Sequence, residues 1–415
     1  MPYYRNIGNV PPKRHTQHRD ENGKLYYEEL MGEEGFSSSS SLLYHRNHPS
    51  SVGRARAWEV GDLSTTPNHP LKPLHFKLHE LFEPGAQIDA VHGRRLLLGN
   101  GDVRLSYALV TTTSPWYRNA IGDELVYVER GNARLETVFG AFEVREGHYA
   151  LVPRCTTHRW IPRVEGDEGY VEPLRLYFIE ATSHIRPPKR FLSKYGQLLE
   201  HAPYCERDFV VPTQVLLAED IGEDPNQVTD VYIKHRGPGP LGIGGTVHTL
   251  PFHPLDVVGW DGGLYPLLLH IDDYEPITGR IHQPPPAHQV WEGNNFVVCN
   301  FVPRKVDYHP LAIPVPYVHS NVDSDEVMFY TAGDYEARKG SGIGRGSVSL
   351  HPAGHPHGPQ PGAAEASIGR DYFDETAVMV DTFRPLDLGE AALASDDGVY
   401  PYSWTGGAPL PEDAS

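Results

Sequence analysis

Short apolar runs, separated by glycine and proline, recur along the whole chain. The runs are rich in Val, Tyr, Phe and Leu, and 41 glycines and 38 prolines punctuate them. Long segments with the 3.6-residue periodicity of an amphipathic helix are scarce. Short strands bounded by turn residues produce this pattern. The sequence therefore predicts a fold of the all-β class, made mainly of strands with short helices and long loops.

Two segments from the first part of the chain recur in the second part. Residues 122–131 and residues 324–333 both place Asp-Glu before an apolar run that ends on glycine. Further along, residues 147–158 and 346–357 both begin Gly-x5-Pro and end on a histidine. Two paired matches in the same order indicate an ancient duplication.

These paired segments resemble the two signature motifs of the cupin superfamily. The resemblance implies two jelly-roll cupin β-sandwich domains, that is, a bicupin. We expect residues 1–240 to form an N-terminal region with one cupin. We expect residues 241–415 to form a C-terminal catalytic cupin with an extended tail.

The two copies differ at the first position of the motif. His319 stands seven residues before Glu326, whereas Tyr117 stands seven residues before Glu124. The C-terminal copy therefore offers His319, Glu326 and His357 to a metal ion. Two histidines and one carboxylate are typical of non-haem Fe(II) oxygenases. The N-terminal copy lacks the first histidine and is predicted to be a degenerate, metal-free cupin.

The carboxylate of this set is chosen by strand alternation. Successive side chains of a strand point to opposite faces. Glu326, Met328 and Tyr330 therefore share one face, and Asp325 points the other way. This favours Glu326 over Asp325 as the ligand.

Composition and charge exclude several classes of protein. The formal net charge is −18, whereas a surface that binds nucleic acid must be basic. The charge therefore argues against a nucleic-acid partner. The chain has no apolar run of membrane-spanning length and no secretory signal at its N-terminal residues. The three cysteines are widely spaced, which disfavours a disulfide framework and suits a reducing cytoplasm. We therefore expect a cytoplasmic protein with no nucleic-acid or membrane partner.

Much of the chain resembles the homogentisate 1,2-dioxygenase family. The similar segments include residues 26–32, 256–260, 316–321 and 350–359, and the stretch around 160–240 is less similar. His319 and Glu326 stand one residue further apart than in animal members, as in the bacterial branch. The resemblance implies an Fe(2+) enzyme of tyrosine and phenylalanine catabolism. It would open the ring of homogentisate with O2 to give maleylacetoacetate, and it would be a homo-oligomer, either a trimer or a hexamer.

The resemblance also implies roles for individual residues. The iron ligands of the family fall on His319, Glu326 and His357, and a substrate-contacting tyrosine falls on Tyr335. The catalytic acid–base histidine falls on His282.

Some assignments near the ligands stay open at this stage. His288 follows the same triple proline as His282 and is its rival. His351 is expected either to orient a ligand or to contact substrate, and a structural histidine is equally compatible with the sequence. Tyr317 shares the face of His319 or belongs to the core. Together with the ligand His357 and Tyr335, Tyr317 and His351 complete the expected substrate-binding set.

Two other functions fit parts of the sequence. A dioxygenase for another para-diphenolic acid, such as gentisate, would share the fold, although gentisate cupins usually take three histidines. A non-catalytic metal-binding cupin would need no intact ligand set. The glycine-rich residues 339–346 are predicted to form a loop at the barrel mouth, where Lys339 or Arg345 would attract an anionic substrate.

Overall fold

The computed structural model describes residues 3–406 and 408. The extended tail predicted beyond about residue 405 lies almost wholly outside the described residues. The strands are β1 (Arg5–Gly8), β2 (Tyr27–Gly32), β3 (Ser40–His45), β4 (Arg54–Trp58), β5 (Thr65–Thr66), β6 (Leu74–Lys77), β7 (Arg95–Gly99), β8 (Val103–Val110), β9 (Trp116–Asn119), β10 (Glu124–Arg130), β11 (Asn132–Thr137), β12 (Gly140–Arg145), β13 (His148–Val152), β14 (His158–Pro162), β15 (Leu174–Ala181), β16 (Phe209–Val210), β17 (Thr229–Arg236), β18 (Ile243–Leu250), β19 (Val257–Gly262), β20 (Leu267–His270), β21 (Gln289–Gly293), β22 (Phe296–Phe301), β23 (Arg304–Lys305), β24 (Asp325–Gly333), β25 (Ser347–His351), β26 (Tyr372–Phe373), β27 (Glu375–Thr382) and β28 (Asp387–Gly389).

Helical structure is short throughout the described chain. The α-helices are α1 (Ala363–Ser367) and α2 (Glu390–Ser395). The 3-10 turns are Glu34–Phe36, Leu78–Glu80, Lys189–Phe191, Glu206–Asp208, Ala218–Ile221, Pro240–Gly242, Ile271–Asp273, Pro285–His288, Glu336–Arg338 and Tyr400–Thr405. In the part of the chain that the structure describes, none of the helices is long and apolar enough to cross a membrane.

The first cupin is a sandwich of two sheets. A nine-stranded sheet has the order β16-β20-β13-β10-β15-β8-β7-β28-β5, and a seven-stranded sheet has the order β12-β11-β14-β9-β17-β18-β4. Large apolar side chains from both sheets are buried in one cluster between them, among them Val126, Leu135, Phe142, Trp160 and Phe178. This is the predicted jelly-roll interior.

The second cupin is built on a six-stranded sheet of order β21-β22-β27-β24-β25-β6, with a two-stranded ribbon of β23 and β26 beside it. One face of the sheet lines the interior of this cupin. The other face packs against the first cupin, where the rings of Phe329 and Tyr127 meet edge to face at 6.3 Å. These two residues occupy equivalent positions in the repeated motif. The prediction of a mainly β bicupin is confirmed.

The two cupins exchange strands. From the first part of the chain, β6 pairs with β25, while β28 from the last part pairs with β7 and β5. Two strands beyond residue 240, β18 and β20, also belong to sheets of the first cupin. The limit at residue 240 between the two regions stays a prediction.

A small sheet of order β1-β19-β3-β2 completes the described architecture. Within it, His45 on β3 lies between two carboxylates, with Nδ1 2.8 Å from Asp256 and Nε2 3.0 Å from Glu29. Burial alone would lower the pKa of His45, but the hydrogen bonds to both carboxylates overcome this and raise it to about 9.

The repeated motif has the same backbone geometry in both copies. Gly147 and Gly346, which open the second segment of each copy, have φ of +87° and +80°. Glycine adopts this left-handed region without the steric cost that a Cβ imposes. Each glycine therefore turns the chain into a strand, β13 or β25, that runs beside the carboxylate-bearing strand.

Candidate metal centre

Strand β24 directs one carboxylate into the second cupin. Glu326, Met328 and Tyr330 line its interior cavity, while Val327 and Phe329 pack in the core between the cupins. Asp325 points away and accepts hydrogen bonds from the backbone N–H groups of Ala353 and Leu386. The alternation predicted from the sequence is confirmed.

Two histidines approach this carboxylate from a pair of facing loops. The backbones of His319 and His357 form an isolated antiparallel bridge, with N–O distances of 2.8 and 2.9 Å. Oε2 of Glu326 lies 3.4 Å from Nε2 of His319 and 3.3 Å from Nε2 of His357. One donor atom from each of the three residues lies within 4.8 Å of the others.

The tautomer of His357 fits a metal ligand. Its Nδ1 lies 3.2 Å from the backbone carbonyl of His355, so Nδ1 carries the proton and Nε2 keeps a free lone pair. That Nε2 atom is buried and has no hydrogen-bond partner among the described residues. A buried lone pair without a donor beside a carboxylate is suited to a divalent cation. The donor set therefore fits a metal ion.

A third histidine contacts the carboxylate from the side away from the cavity. Nδ1 of His351 lies 3.0 Å from Oε1 of Glu326, and its Nε2 lies 2.8 Å from the hydroxyl of Tyr400. His351 is fully buried, is not among the residues that line the cavity, and stacks on His357 at 4.3 Å. Of the roles left open for His351, these contacts fit the one in which it orients a ligand.

Burial and hydrogen bonding set the protonation of this group. Burial raises the pKa of Glu326, but its close contacts with the imidazoles of His319, His351 and His357 hold it well below its usual range. Burial lowers the pKa of His351 to about 3. The arrangement therefore presents an ionised carboxylate and a neutral His351, as metal ligation requires.

His319 and Glu326 line a largely apolar cavity of about 160 Å³, and His357 is buried behind them. A cavity of about 150 Å³ accommodates benzene, so this one has room for a single aromatic ring. Tyr335 and Tyr317 both line it. Tyr335 is 7% exposed, and its hydroxyl donates to the carbonyl of Thr376 at 3.4 Å. The remaining apolar walls come from Phe301, Pro314, Val315, Pro316, Met328, Phe373, Ala377 and Met379.

The two rival acid–base histidines both line the cavity, in different surroundings. His282 is partly exposed, its ring meets that of Tyr317 edge to face at 5.1 Å, and its Nδ1 lies 3.9 Å from Asp307. Burial lowers the pKa of His282. His288 is buried and stacks on Phe301 at 4.9 Å, and burial lowers its pKa to about 3. A histidine that stays neutral at every working pH is a poor proton carrier.

The equivalent place in the first cupin is filled by a guanidinium group. Arg94 contacts both carboxylate oxygens of Glu124, at 2.8 and 3.1 Å, and lies 3.2 Å from Glu180. Tyr117 donates its hydroxyl to Glu124 at 2.8 Å. His158 keeps the geometry of His357, since its Nδ1 lies 3.0 Å from the carbonyl of Thr156.

The sequence motifs did not reveal three of the residues around these sites. Arg338 lines the second cavity, Tyr400 contacts His351, and Arg94 occupies the first cupin. All three lie outside the repeated segments, and the chain folds back to bring them close. The sequence signal nearest to Arg338 was the predicted anion-attracting loop, in which Arg345 instead pairs with Glu146 at 2.6 Å.

The chain is similar to known proteins of the dioxygenase class. The model of the homogentisate 1,2-dioxygenase C-terminal family matches residues 284–406. A Saccharolobus solfataricus protein named "Putative dioxygenase" is 38% identical over 97% of this chain and 99% of its own length. Two proteins named homogentisate 1,2-dioxygenase also match. The Bradyrhizobium diazoefficiens protein is 26% identical over 86% of this chain and 79% of its own. The Rhodopseudomonas palustris BisA53 protein is 27% identical over 96% and 90%.

The fold, the site and these relatives define a cupin oxidoreductase of the dioxygenase class. A metal cofactor is implied by the class and fits the donor set described above. The chain belongs to the homogentisate 1,2-dioxygenase family of the cupin superfamily.

Proposed function

We propose that this protein is an Fe(II)-dependent ring-cleaving dioxygenase that converts homogentisate and O2 to maleylacetoacetate. The observation that carries the proposal is the convergence of His319, Glu326 and His357, of which His319 and Glu326 line a cavity sized for one aromatic ring. Such a set leaves about three coordination positions free. We expect ligand distances of about 2.0–2.3 Å to the ion.

Fe(II), if bound by these three residues, would supply neighbouring positions for the ionised hydroxyl of an aromatic substrate and for O2. The chain's own residues then orient the ring and keep water away. The apolar walls, Met328 and Phe301 among them, favour the aromatic ring over water. Holding both reactants in one orientation supplies much of the rate enhancement.

His282 is the proposed acid–base residue. The substrate hydroxyl must lose a proton as it binds, and His282 lines the cavity with one edge exposed to solvent. Asp307, 3.9 Å from its Nδ1, is placed to stabilise the protonated ring. The edge of Tyr317 fixes the plane of the imidazole from one side.

Two tyrosines are proposed to contact the substrate. Tyr335 lines the cavity, and its hydroxyl makes a long contact of 3.4 Å with the carbonyl of Thr376 that a substrate group can replace. Tyr317 borders His319, with ring centroids 5.9 Å apart. Both lie where the ring of a bound substrate would pass.

An oxygen-electrode screen tests the proposal. The Fe(II)-loaded protein is assayed with homogentisate, gentisate and homoprotocatechuate, and the product is identified by absorbance and mass. We expect oxygen uptake with homogentisate in a one-to-one ratio. Greater uptake with gentisate would move the assignment to another para-diphenolic acid. Absence of uptake with all three, despite bound iron, would favour a non-catalytic metal-binding cupin.

Place in the cell and assembly also belong to the proposal. We propose a cytoplasmic enzyme of tyrosine and phenylalanine breakdown, with a small aromatic acid and O2 as its binding partners. The expected assembly is a homo-oligomer, either a trimer or a hexamer. Light scattering tests the assembly, and a stable monomer would contradict it.

A further inference from the structure

Two guanidinium groups line the cavity, and among the described side chains one of them is paired with a carboxylate. Nη2 of Arg304 lies 2.8 Å from Oε1 of Glu375, which also lines the cavity. Arg338 is 8% exposed. Among the described side chains of residues 3–406 and 408, no carboxylate oxygen lies within 4.0 Å of its guanidinium nitrogens. Among the side chains that the structure describes, its charge is therefore buried without a salt bridge.

The hydrogen bonds of Arg338 are to neutral groups. Its Nε donates to the hydroxyl of Tyr330 at 3.1 Å, and its Nη1 donates to the carbonyl of Gly358. These bonds fix the plane of the guanidinium beside the cavity and leave Nη2 without a hydrogen-bond partner among the described residues. A buried cation is costly unless an anion compensates it, and a guanidinium matches the geometry of a carboxylate.

The charge of the cavity points to the missing anion. The pair of Arg304 and Glu375 is neutral, and Glu326 offsets one of the two positive charges of an Fe(II) ion. Arg338 then leaves the site with a charge of about +2, if the histidines are neutral. A substrate with one carboxylate and one ionised hydroxyl carries the opposite charge.

We propose that Arg338 binds the carboxylate of the substrate, and that it selects hydroxylated aryl acids over neutral phenols. The inference rests on the proposed function and deepens it, because it names the group that recognises the acid side chain. Arg338 is held on the rigid 3-10 turn Glu336–Arg338 by the hydrogen bond from Ser341 N–H to its carbonyl, so the charge is preorganised. Preorganised charge discriminates more strongly than a flexible surface lysine.

Binding of unreactive ligands tests this inference. Calorimetry under anaerobic conditions measures the affinity of the Fe(II)-loaded protein for 2-hydroxyphenylacetate and for its neutral amide. We expect the wild type to prefer the acid roughly 10- to 100-fold, the scale of one hydrogen-bonded charge pair. In Arg338→Met the ratio should fall to about 1, while affinity for the amide should change little.

Two controls separate recognition from structure. The double variant Arg304→Gln/Glu375→Gln removes a neutral pair from the same cavity and should keep the preference for the acid. Arg338→Lys keeps the charge but loses the fork of donors, so acid affinity should fall roughly tenfold and amide affinity should not. If circular dichroism shows that Arg338→Met does not fold, the Arg338→Lys result decides.

The outcomes distinguish this inference from the proposed function. A wild type that binds acid and amide equally, or an Arg338→Met variant that keeps the preference, overturns the role of Arg338 even if homogentisate is cleaved. An Arg338-dependent preference in a protein that takes up no oxygen with homogentisate supports the role of Arg338 and removes the proposed function.

Discussion

Nδ1 of His351 lies 3.0 Å from Oε1 of Glu326, so a histidine outside the cavity fixes the carboxylate inside it. The other nitrogen of His351 accepts from Tyr400, 2.8 Å away. Tyr400 is held in turn by Asp397, which accepts from its backbone N–H at 3.0 Å and lies 2.6 Å from His75. The C-terminal segment therefore reaches the proposed metal ligand through two buried side chains.

Substitution of Tyr400 by Phe should weaken metal binding by roughly 10- to 100-fold, the usual effect of losing a partner behind a metal ligand. The reason is that His351 loses the bond that fixes its ring and its tautomer. Metal affinity is measured by competition with a chelator. Tyr402→Phe, two residues along the same turn, serves as the control and should leave the affinity unchanged. Equal metal affinities in both variants would show that the contacts from Tyr400 through His351 to Glu326 do not determine metal binding.

Replacement of His357 by Ala should remove the bound metal and with it any oxygen uptake, because only two of the three donors remain. The matched control is His158→Ala at the equivalent position of the first cupin, which should keep about one metal per chain. Elemental analysis gives the stoichiometry. Two tightly held metals per chain in the wild type, one of them lost on the His158 substitution, would contradict the prediction of a metal-free first cupin.

His282→Asn should keep its metal and lose roughly 100-fold or more in turnover, the scale of a lost general base. His288→Asn should lose less, because burial already holds the pKa of His288 at about 3 and keeps it neutral. Both variants are assayed for iron content and turnover, together with His351→Asn. A large loss of turnover in the His288 variant, with His282→Asn near wild type, would transfer the acid–base role to His288.

Arg94→Met should destabilise the first cupin by about 3–5 kcal/mol, since it leaves the buried carboxylates of Glu124 and Glu180 short of a partner. Denaturant unfolding monitored by tryptophan fluorescence measures the change. Arg56→Met is the control, because the pair of Arg56 and Asp230 is exposed to solvent and its loss should change stability little. Similar losses of unfolding free energy in both variants would show that the stability of the first cupin does not depend on the charge of Arg94.

The stability of the protein should fall as pH rises from about 6.5 to about 9, through the deprotonation of His45. Its pKa is raised above the unfolded value, so its contribution is complete below about pH 6.5 and is lost as pH passes about 9. The effect is on the order of 3 kcal/mol.

The test for His45 compares variants at two pH values. The gap in unfolding free energy between wild type and His45→Asn is measured near pH 6 and near pH 10, and it should narrow at the higher pH. His48→Asn, at an exposed residue three positions along, is the control for replacing a histidine in this segment. A His45 gap of the same size at both pH values would exclude this linkage.

The fold and the donor set were accessible from the sequence for a physical reason. Each motif joins a turn glycine to an alternating strand, and both leave local signals such as Gly346 and the run from Glu326 to Tyr330. His319 and His357 stand at fixed spacings from these strands, so the motif alone predicted that they converge. The cavity geometry agrees with that prediction.

The residues around the donor set were not accessible in the same way. Tyr400 and Arg94 meet their partners through contacts between distant parts of the chain, and no local periodicity marks them. The exchange of β6 and β28 between the cupins depends equally on tertiary packing. The sequence favoured His282 over His288 through the family resemblance, and the difference in burial between the two is not visible in the triple proline that they share.

The exchange of β6 affects the order in which the protein can fold during synthesis. Its partner strand β25 leaves the ribosome about 270 residues later, since Lys77 pairs with Ser347. At about 5–20 residues per second, β6 waits roughly 14–54 seconds with its hydrogen-bonding edge unpaired. An unpaired apolar strand invites association with other chains. Yield of active protein should therefore depend on chaperones and on translation speed.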